Sequence, residues 1–237
     1  VWIIGAGGLL GGALTRQLNR NQLFTTTSNE TINWADPDHV NHSFERNFHQ
    51  LLTQAGTDPW TVIWAAGHAS TSSTRVDTRQ ELDTFQLLIN VMKKSSTNSQ
   101  GTFFLTSSAG GVYAGSQDPP FTINTKPNPL SAYGELKLAQ ENLAKEQLTN
   151  TCRVLIGRVS NLYGPGQDIN KLQGLISQLA VSALTKKPLN IFVSLDTMRD
   201  YIYVDDAAQT IINLLGSDFE NPSTQIIASG YPVSLGY

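Results

Sequence analysis

Val1-Trp2-Ile3-Ile4-Gly5-Ala6-Gly7-Gly8-Leu9-Leu10-Gly11-Gly12 decides the fold. A short apolar run feeds a glycine-rich bend, and Ala13-Leu14-Thr15-Arg16-Gln17-Leu18 follows with apolar residues at helical spacing. Strand, glycine turn and helix in that order are the setting a dinucleotide-binding loop requires. Gly5, Gly8 and Gly11 form G-x-x-G-x-x-G, a variant of the usual G-x-G-x-x-G. Such glycines let the backbone turn tightly and approach a pyrophosphate. The helix start then offers free N–H groups at Leu9, Leu10 and Gly11, with the positive end of its dipole.

Outward from this bend, apolar runs alternate with amphipathic stretches. Strands are expected at Leu23–Thr27, Thr31–Ala35, Trp60–Trp64, Thr102–Thr106, Arg153–Val159, Leu189–Val193 and Gln225–Ala228. Helices are expected at Ser43–Ala55, Arg79–Lys94, Ala132–Gln147, Leu172–Thr185 and Asp206–Leu215, the last capped by Asp205. Asp36-Pro37-Asp38 reads as a helix start. This alternation predicts an α/β fold with a parallel sheet. The second strand ends Thr27-Ser28-Asn29-Glu30, without an acid where an NAD enzyme holds the ribose and without a cation for a 2′-phosphate. Ser28 could serve either cofactor, so NAD and NADP both stay open. Small residues Ala65, Ala66 and Gly67 close the Trp60–Trp64 strand and leave room for a bound group.

The chemistry-bearing stretch is Ser131-Ala132-Tyr133-Gly134-Glu135-Leu136-Lys137. A Tyr and a Lys four residues apart on a helix share one face. An ammonium beside a phenol favours the phenolate and lowers its pKa from about 10. Tyr133 is thus a candidate proton acceptor tuned by Lys137. The pattern alone is common on amphipathic helices, and its weight comes from its neighbours. Ser107 and Ser108, at the end of the Thr102–Thr106 strand, place hydroxyls upstream of the Tyr/Lys helix.

Composition narrows the classes. The 237 residues carry a net charge of −3, which leaves no electrostatic footprint for nucleic acid or an anionic membrane. No apolar run approaches the roughly 20 residues of a membrane span. The single cysteine, Cys152, excludes an internal disulfide and reads as a small packing residue. A cytoplasmic setting is expected. His39 and His42 lack a third ligand, so no metal site is expected. Val1 already lies within the first strand, so further chain is expected before it and beyond Tyr237.

In order, the landmarks are Gly5-x-x-Gly8-x-x-Gly11, Ser107-Ser108, Tyr133-x-x-x-Lys137, Asn161-x-Tyr163-Gly164-Pro165 and Arg199-Asp200-Tyr201. This resembles the extended short-chain dehydrogenase/reductase family, in its NAD-dependent epimerase/dehydratase group. The resemblance implies a Rossmann-like, doubly wound parallel sheet of about seven strands with a small C-terminal substrate lobe. Residues 1–160, completed by 205–230, would form the NAD(P)-binding domain, and 161–204 the lobe over a nucleotide-sugar. It further implies Gly5, Gly8, Leu9, Leu10 and Gly11 at the pyrophosphate, and Ala65, Ala66 and Gly67 along the cofactor. Tyr133 would be the base and Lys137 its partner on the nicotinamide ribose. Ser107, Asn161, Phe192 and Arg199 would contact substrate. A homodimer through the helices near 79–94 and 132–147 is also implied.

Two departures bear on activity. Counted from Val112-Tyr113, the family's catalytic hydroxyl falls on Ala109, leaving Ser108 one place early. The acidic pair of sugar 4,6-dehydratases is replaced by Ala109-Gly110, which disfavours dehydration. The adenine-contacting acid falls on Asp36 or is replaced by Asn33. The expected activity is epimerisation by transient oxidation of a sugar hydroxyl. The alternatives are an NADPH-dependent reductase of a keto-sugar or carbonyl compound, and a non-catalytic NAD(P)-binding sensor.

Overall fold

The computed structural model describes residues 1–20, 32–95, 100–170, 174–191 and 193–236. Strand β1 (Trp2–Ile4) leads through the glycine bend into α1 (Leu9–Arg20), and α2 (Pro37–Ala55) precedes β2 (Trp60–Trp64). Then follow α3 (Arg75–Lys94), β3 (Gly101–Ser108), the single turn α4 (Ala109–Val112), α5 (Ala132–Leu148) and β4 (Arg153–Val159). The remainder is β5 (Asn161–Tyr163), α6 (Leu175–Thr185), β6 (Met198–Tyr203), α7 (Val204–Leu215), β7 (Ser223–Ile227) and β8 (Pro232–Ser234).

Strands β1, β2, β3, β4 and β7 lie side by side in that order, all parallel. Because side chains alternate across a strand, each strand serves two cores. Trp2, Ile4, Val62, Trp64, Phe103, Leu105, Val154 and Ile156 pack under α2, α3 and α5. Ile3, Ile63, Phe104, Leu155 and Ile227 pack on the opposite face against α1 and α7. On the first face, Phe44 lies edge-on to both Trp2 and Trp64, and Trp64 continues to Phe85 with centroids 5.0 Å apart. These contacts hold α2 and α3 to the sheet. The result is a doubly wound, Rossmann-like α/β fold. Cys152 is buried in the first core, and burial pushes its thiol up to about 12. It is a packing residue.

A second, small sheet joins β5, β6 and β8, with β5 and β6 parallel and β8 antiparallel. Asp200 ties it to the chain leaving β7. Its carboxylate accepts from the hydroxyls of Ser160 and Ser229 and from the N–H groups of Ser229 and Gly230, at 2.6 to 2.9 Å.

Several expectations are corrected. Among the described residues the main sheet has five strands rather than about seven. The expected strand Leu23–Thr27 and Ser28 lie outside the described residues. So does Phe192. Residues 32–35 are not a strand, because the Asn33 side chain accepts from the Ala35 N–H and bends the chain toward the Asp36 cap. Asp36 caps α2 by accepting from the Asp38 and His39 N–H groups, the helix start read from sequence. Residues 189–191 take no regular structure. Helix α7 begins two residues early, at Val204 with Tyr203 at its cap, so Asp205 does not cap it. That carboxylate instead pairs with Arg16 of α1 at 3.0 Å.

Candidate active site

The carboxyl ends of β1 and β2 open into a cleft of about 570 Å³, lined by Gly5, Gly7, Gly8, Ala65, Ala66 and Gly67 among others. This is the size of a small-molecule site. Gly5 has φ +91°, and a Cβ there would lie 2.6 Å from the Ala66 amide nitrogen. The two bends therefore touch backbone to backbone, and only glycine permits it. A Cβ on Gly7 would meet open space, so the bend presents bare backbone to the cleft. Behind it α1 starts at Leu9, leaving first-turn N–H groups of Leu9, Leu10 and Gly11 without helical partners. Bare backbone, free N–H groups and a helix dipole at one point fit a dinucleotide pyrophosphate.

Of the Tyr/Lys pair, Lys137 borders the same cleft beside Gly67. Ser131 caps α5 by accepting from the Gly134 N–H, which starts the helix just before Tyr133. A Cβ on Gly134 would collide with the Gly111 carbonyl oxygen, so α5 rests directly on α4. That contact brings the Tyr133 ring to 3.1 Å, and the Ser108 hydroxyl to 3.3 Å, from where a Cβ on Gly111 would sit. Ser108 and Tyr133 thus flank one glycine. Ser108 caps α4 by accepting from the Gly111 N–H, which leaves its own proton for another oxygen. The Ser108 hydroxyl and the Tyr133 ring therefore share Gly111 as a common neighbour.

Lys137 is buried, and its Nζ stands 5.7 Å from the centre of the Tyr133 ring. It donates to Gln140 Oε1 at 3.1 Å and pairs with Glu81 Oε1 at 3.5 Å. A Cβ on Gly67 would lie 3.6 Å from Lys137 Nζ, which places the ammonium at the cleft wall. Glu81 lines the cleft, and its other oxygen accepts from the His68 and Ala69 N–H groups, both at 2.9 Å.

The remaining expected residues divide. Ser107 is buried and donates to Glu141, which binds Arg158 through both oxygens; Arg158 also reaches the Tyr113 hydroxyl. Burial works against the Arg158 charge, but the bonds to Glu141 outweigh it and hold the guanidinium above its ordinary range. The Ser107 hydroxyl is therefore committed to Glu141. Asn161 and Arg199 stand on the neighbouring strands β5 and β6, and Asn161 donates to the Asp200 carbonyl at 2.8 Å. Asp36 is engaged as a cap, while Trp34 and Ala35 beside it line the cleft. Among the described residues no group of His, Cys, Asp and Glu is placed to hold a metal. No helix among them is long and apolar enough to cross a membrane.

The motif pattern does not single out Glu81 or Gln140. A signal for Glu81 exists in its helix: it falls in phase with Phe85, Leu88 and Met92, a carboxylate on the stripe that faces the sheet.

The model of the NAD dependent epimerase/dehydratase family matches residues 1–228. The chain belongs to this family. One relative, a dTDP-L-rhamnose 4-epimerase of Burkholderia thailandensis, is 34% identical over 119 residues, covering 49% of this chain and 33% of that protein. A dTDP-4-dehydro-6-deoxyglucose reductase of Escherichia coli is 26% identical over 235 residues, covering 90% of this chain and 71% of that protein. The first match thus spans only about a third of its relative. Among solved structures, the UDP-glucose 4-epimerase of Thermotoga maritima, with UDP-glucose, superposes with a TM-score of 0.77 at 20% identity. That superposition covers 99% of this chain and 78% of the other, and it shows the shared fold. The family's cofactor is NAD or NADP, in keeping with the backbone cradle at Gly5–Gly11.

Proposed function

We propose that this epimerase/dehydratase-family chain is an NAD(P)-dependent sugar-nucleotide oxidoreductase that works as an epimerase. The observation that carries the reading is the placement of the Lys137 ammonium beside the Tyr133 ring and at the wall of the glycine-bend cleft. In this reading Gly5, Gly8, Leu9, Leu10 and Gly11 hold the pyrophosphate, and Ala65, Ala66 and Gly67 pass along the rest of the dinucleotide. When bound there, the nicotinamide would supply a reversible hydride acceptor, and epimerisation would require the keto-sugar to turn in the pocket between the two transfers. Tyr133 takes the proton of the sugar hydroxyl, and Ser108 donates to the same oxygen. Lys137 holds the ribose and steadies the charge on Tyr133. Residues 161–204, with Asn161 and Arg199 on adjacent strands, form the substrate lobe, where the Arg199 fork suits phosphate oxygens. Two copies associate across α3 and α5.

Epimerisation is favoured over dehydration because Ala109 and Gly110 offer no acid or base for removing water. A reductase is the second reading, supported by the E. coli reductase relative that covers most of this chain. Proton NMR of UDP- and dTDP-sugars incubated with protein and NAD(P)+ separates the outcomes. Inversion at one carbon without net cofactor turnover is the expected result. Loss of water, or steady oxidation of added NADPH with a keto-sugar, would overturn epimerisation.

A further inference from the structure

Glu81 takes no part in the proton transfer proposed above, yet it is a nearly buried carboxylate in the cofactor cleft. The Lys137 and Glu81 side chains are 7% and 10% exposed, and they meet through one 3.5 Å contact. Gln140 bridges them, accepting from Lys137 and donating to Glu81 Oε1 at 3.5 Å. The loop after β2 fixes the carboxylate through the His68 and Ala69 N–H groups. The other charges nearby are engaged elsewhere or lie outside. Asp77, at the cleft edge, binds Thr74, and the Glu135 carboxylate is exposed beside Arg75. Glu141, one turn along α5, is held by Arg158. The His68 ring is on an exposed residue. Glu81 is thus the carboxylate that offsets the Lys137 ammonium at the cleft wall.

We infer that Glu81 is a charge-balancing residue that keeps the cleft near neutral beside Lys137, so that the cationic, oxidised nicotinamide is held about as well as the reduced one. The inference rests on the reading of this cleft as the NAD(P) site. A unit charge placed near a ring that is cationic in one redox state and neutral in the other changes their relative affinity. Glu81→Gln leaves the ammonium uncompensated and disfavours the oxidised form. Lys137→Met leaves the carboxylate uncompensated and favours it. Removing both restores neutrality.

The test is calorimetric titration of NAD+, NADH, NADP+ and NADPH into wild type, Glu81→Gln, Lys137→Met and the double variant, with folding checked by circular dichroism. Glu81→Gln is expected to shift the oxidised-to-reduced affinity ratio about fivefold or more toward the reduced form. Lys137→Met is expected to shift it the opposite way, and the double variant to return within about twofold of wild type. A role confined to holding the 68–69 loop would weaken both forms equally, and that result overturns the inference. If Glu81→Gln does not fold, the Lys137→Met arm decides alone: a shift toward the oxidised form supports the inference, and an unchanged ratio overturns it. Wild type that binds neither couple would instead remove the cofactor-cleft reading itself.

Discussion

Two ion pairs stand one turn apart on α5, and they are built differently. Glu141 grips Arg158 through both oxygens, at 2.9 and 2.6 Å, and the cluster extends to Ser107 and Tyr113 inside the protein. Lys137 meets Glu81 through one contact at 3.5 Å, on the wall of a cleft. The first pair has its polar atoms satisfied and nowhere else to turn, so it joins α5 to β3, β4 and the loop after α4. The second is slack and faces space that a ligand can enter. A buried charge held on all sides is scaffold, whereas a buried charge held loosely beside an opening is available for binding.

Substitutions can break that contrast. Glu141→Ala strands the Arg158 guanidinium in the interior and is expected to lower stability by about 3–5 kcal/mol in denaturant unfolding. A loss under about 1 kcal/mol would erase the distinction between the pairs. Gly134→Ala drives a methyl group into the Gly111 carbonyl and pushes the N-terminal turn of α5 off α4. Its expected stability cost is about 1–3 kcal/mol. Turnover should fall further than that figure explains, because Tyr133 and Ser108 separate while the Glu141 cluster, two turns on, stays in place.

Asp200 supplies a third case, a carboxylate gripped by four donors. Burial pushes its pKa up, but the bonds from Ser160, Ser229 and Gly230 outweigh that and leave it below the usual carboxylate value. Its stabilising contribution is therefore full above the ordinary carboxylate value of about 4 and is lost as pH falls through its own lower value. Asp200→Asn should cost about 1–2 kcal/mol at pH 7, with the gap to wild type closing below about pH 4. A gap that widens in acid would contradict the sign. The smallest change is expected at the slack pair. Glu81→Gln keeps an acceptor for the 68–69 amides, and Lys137 keeps Gln140, so thermal unfolding should register less than about 1 kcal/mol.

Much of this architecture is legible in the chain. The bend at Gly5–Gly12, the strands Trp60–Trp64 and Arg153–Val159, and the Tyr133/Lys137 face all carry local signals, in apolar runs, glycine spacing and helical phase. What escapes is long-range. The small sheet joins Asn161–Tyr163, Met198–Tyr203 and Pro232–Ser234, three short segments whose pairing no local pattern announces. Asp205 looks like a cap by position, but its partner Arg16 lies on α1, and only the docking of α1 on α7 brings them together. The Glu81–Lys137 pair is of the same kind, formed when α3 and α5 pack side by side. Ser108 illustrates the limit of counting: by register it stands one place early, yet the turn α4 and the Gly111–Gly134 contact set its hydroxyl and the Tyr133 ring around the same glycine, Gly111.

The central claim is that the Tyr133 hydroxyl performs proton transfer at a cofactor held by the glycine bend. Tyr133→Phe tests it most directly, with sugar-nucleotide turnover and NAD(P) affinity measured on the same preparation. Turnover is expected to drop by about a hundredfold or more, with cofactor affinity within about threefold of wild type. A Phe variant that turns over as wild type does would contradict the account.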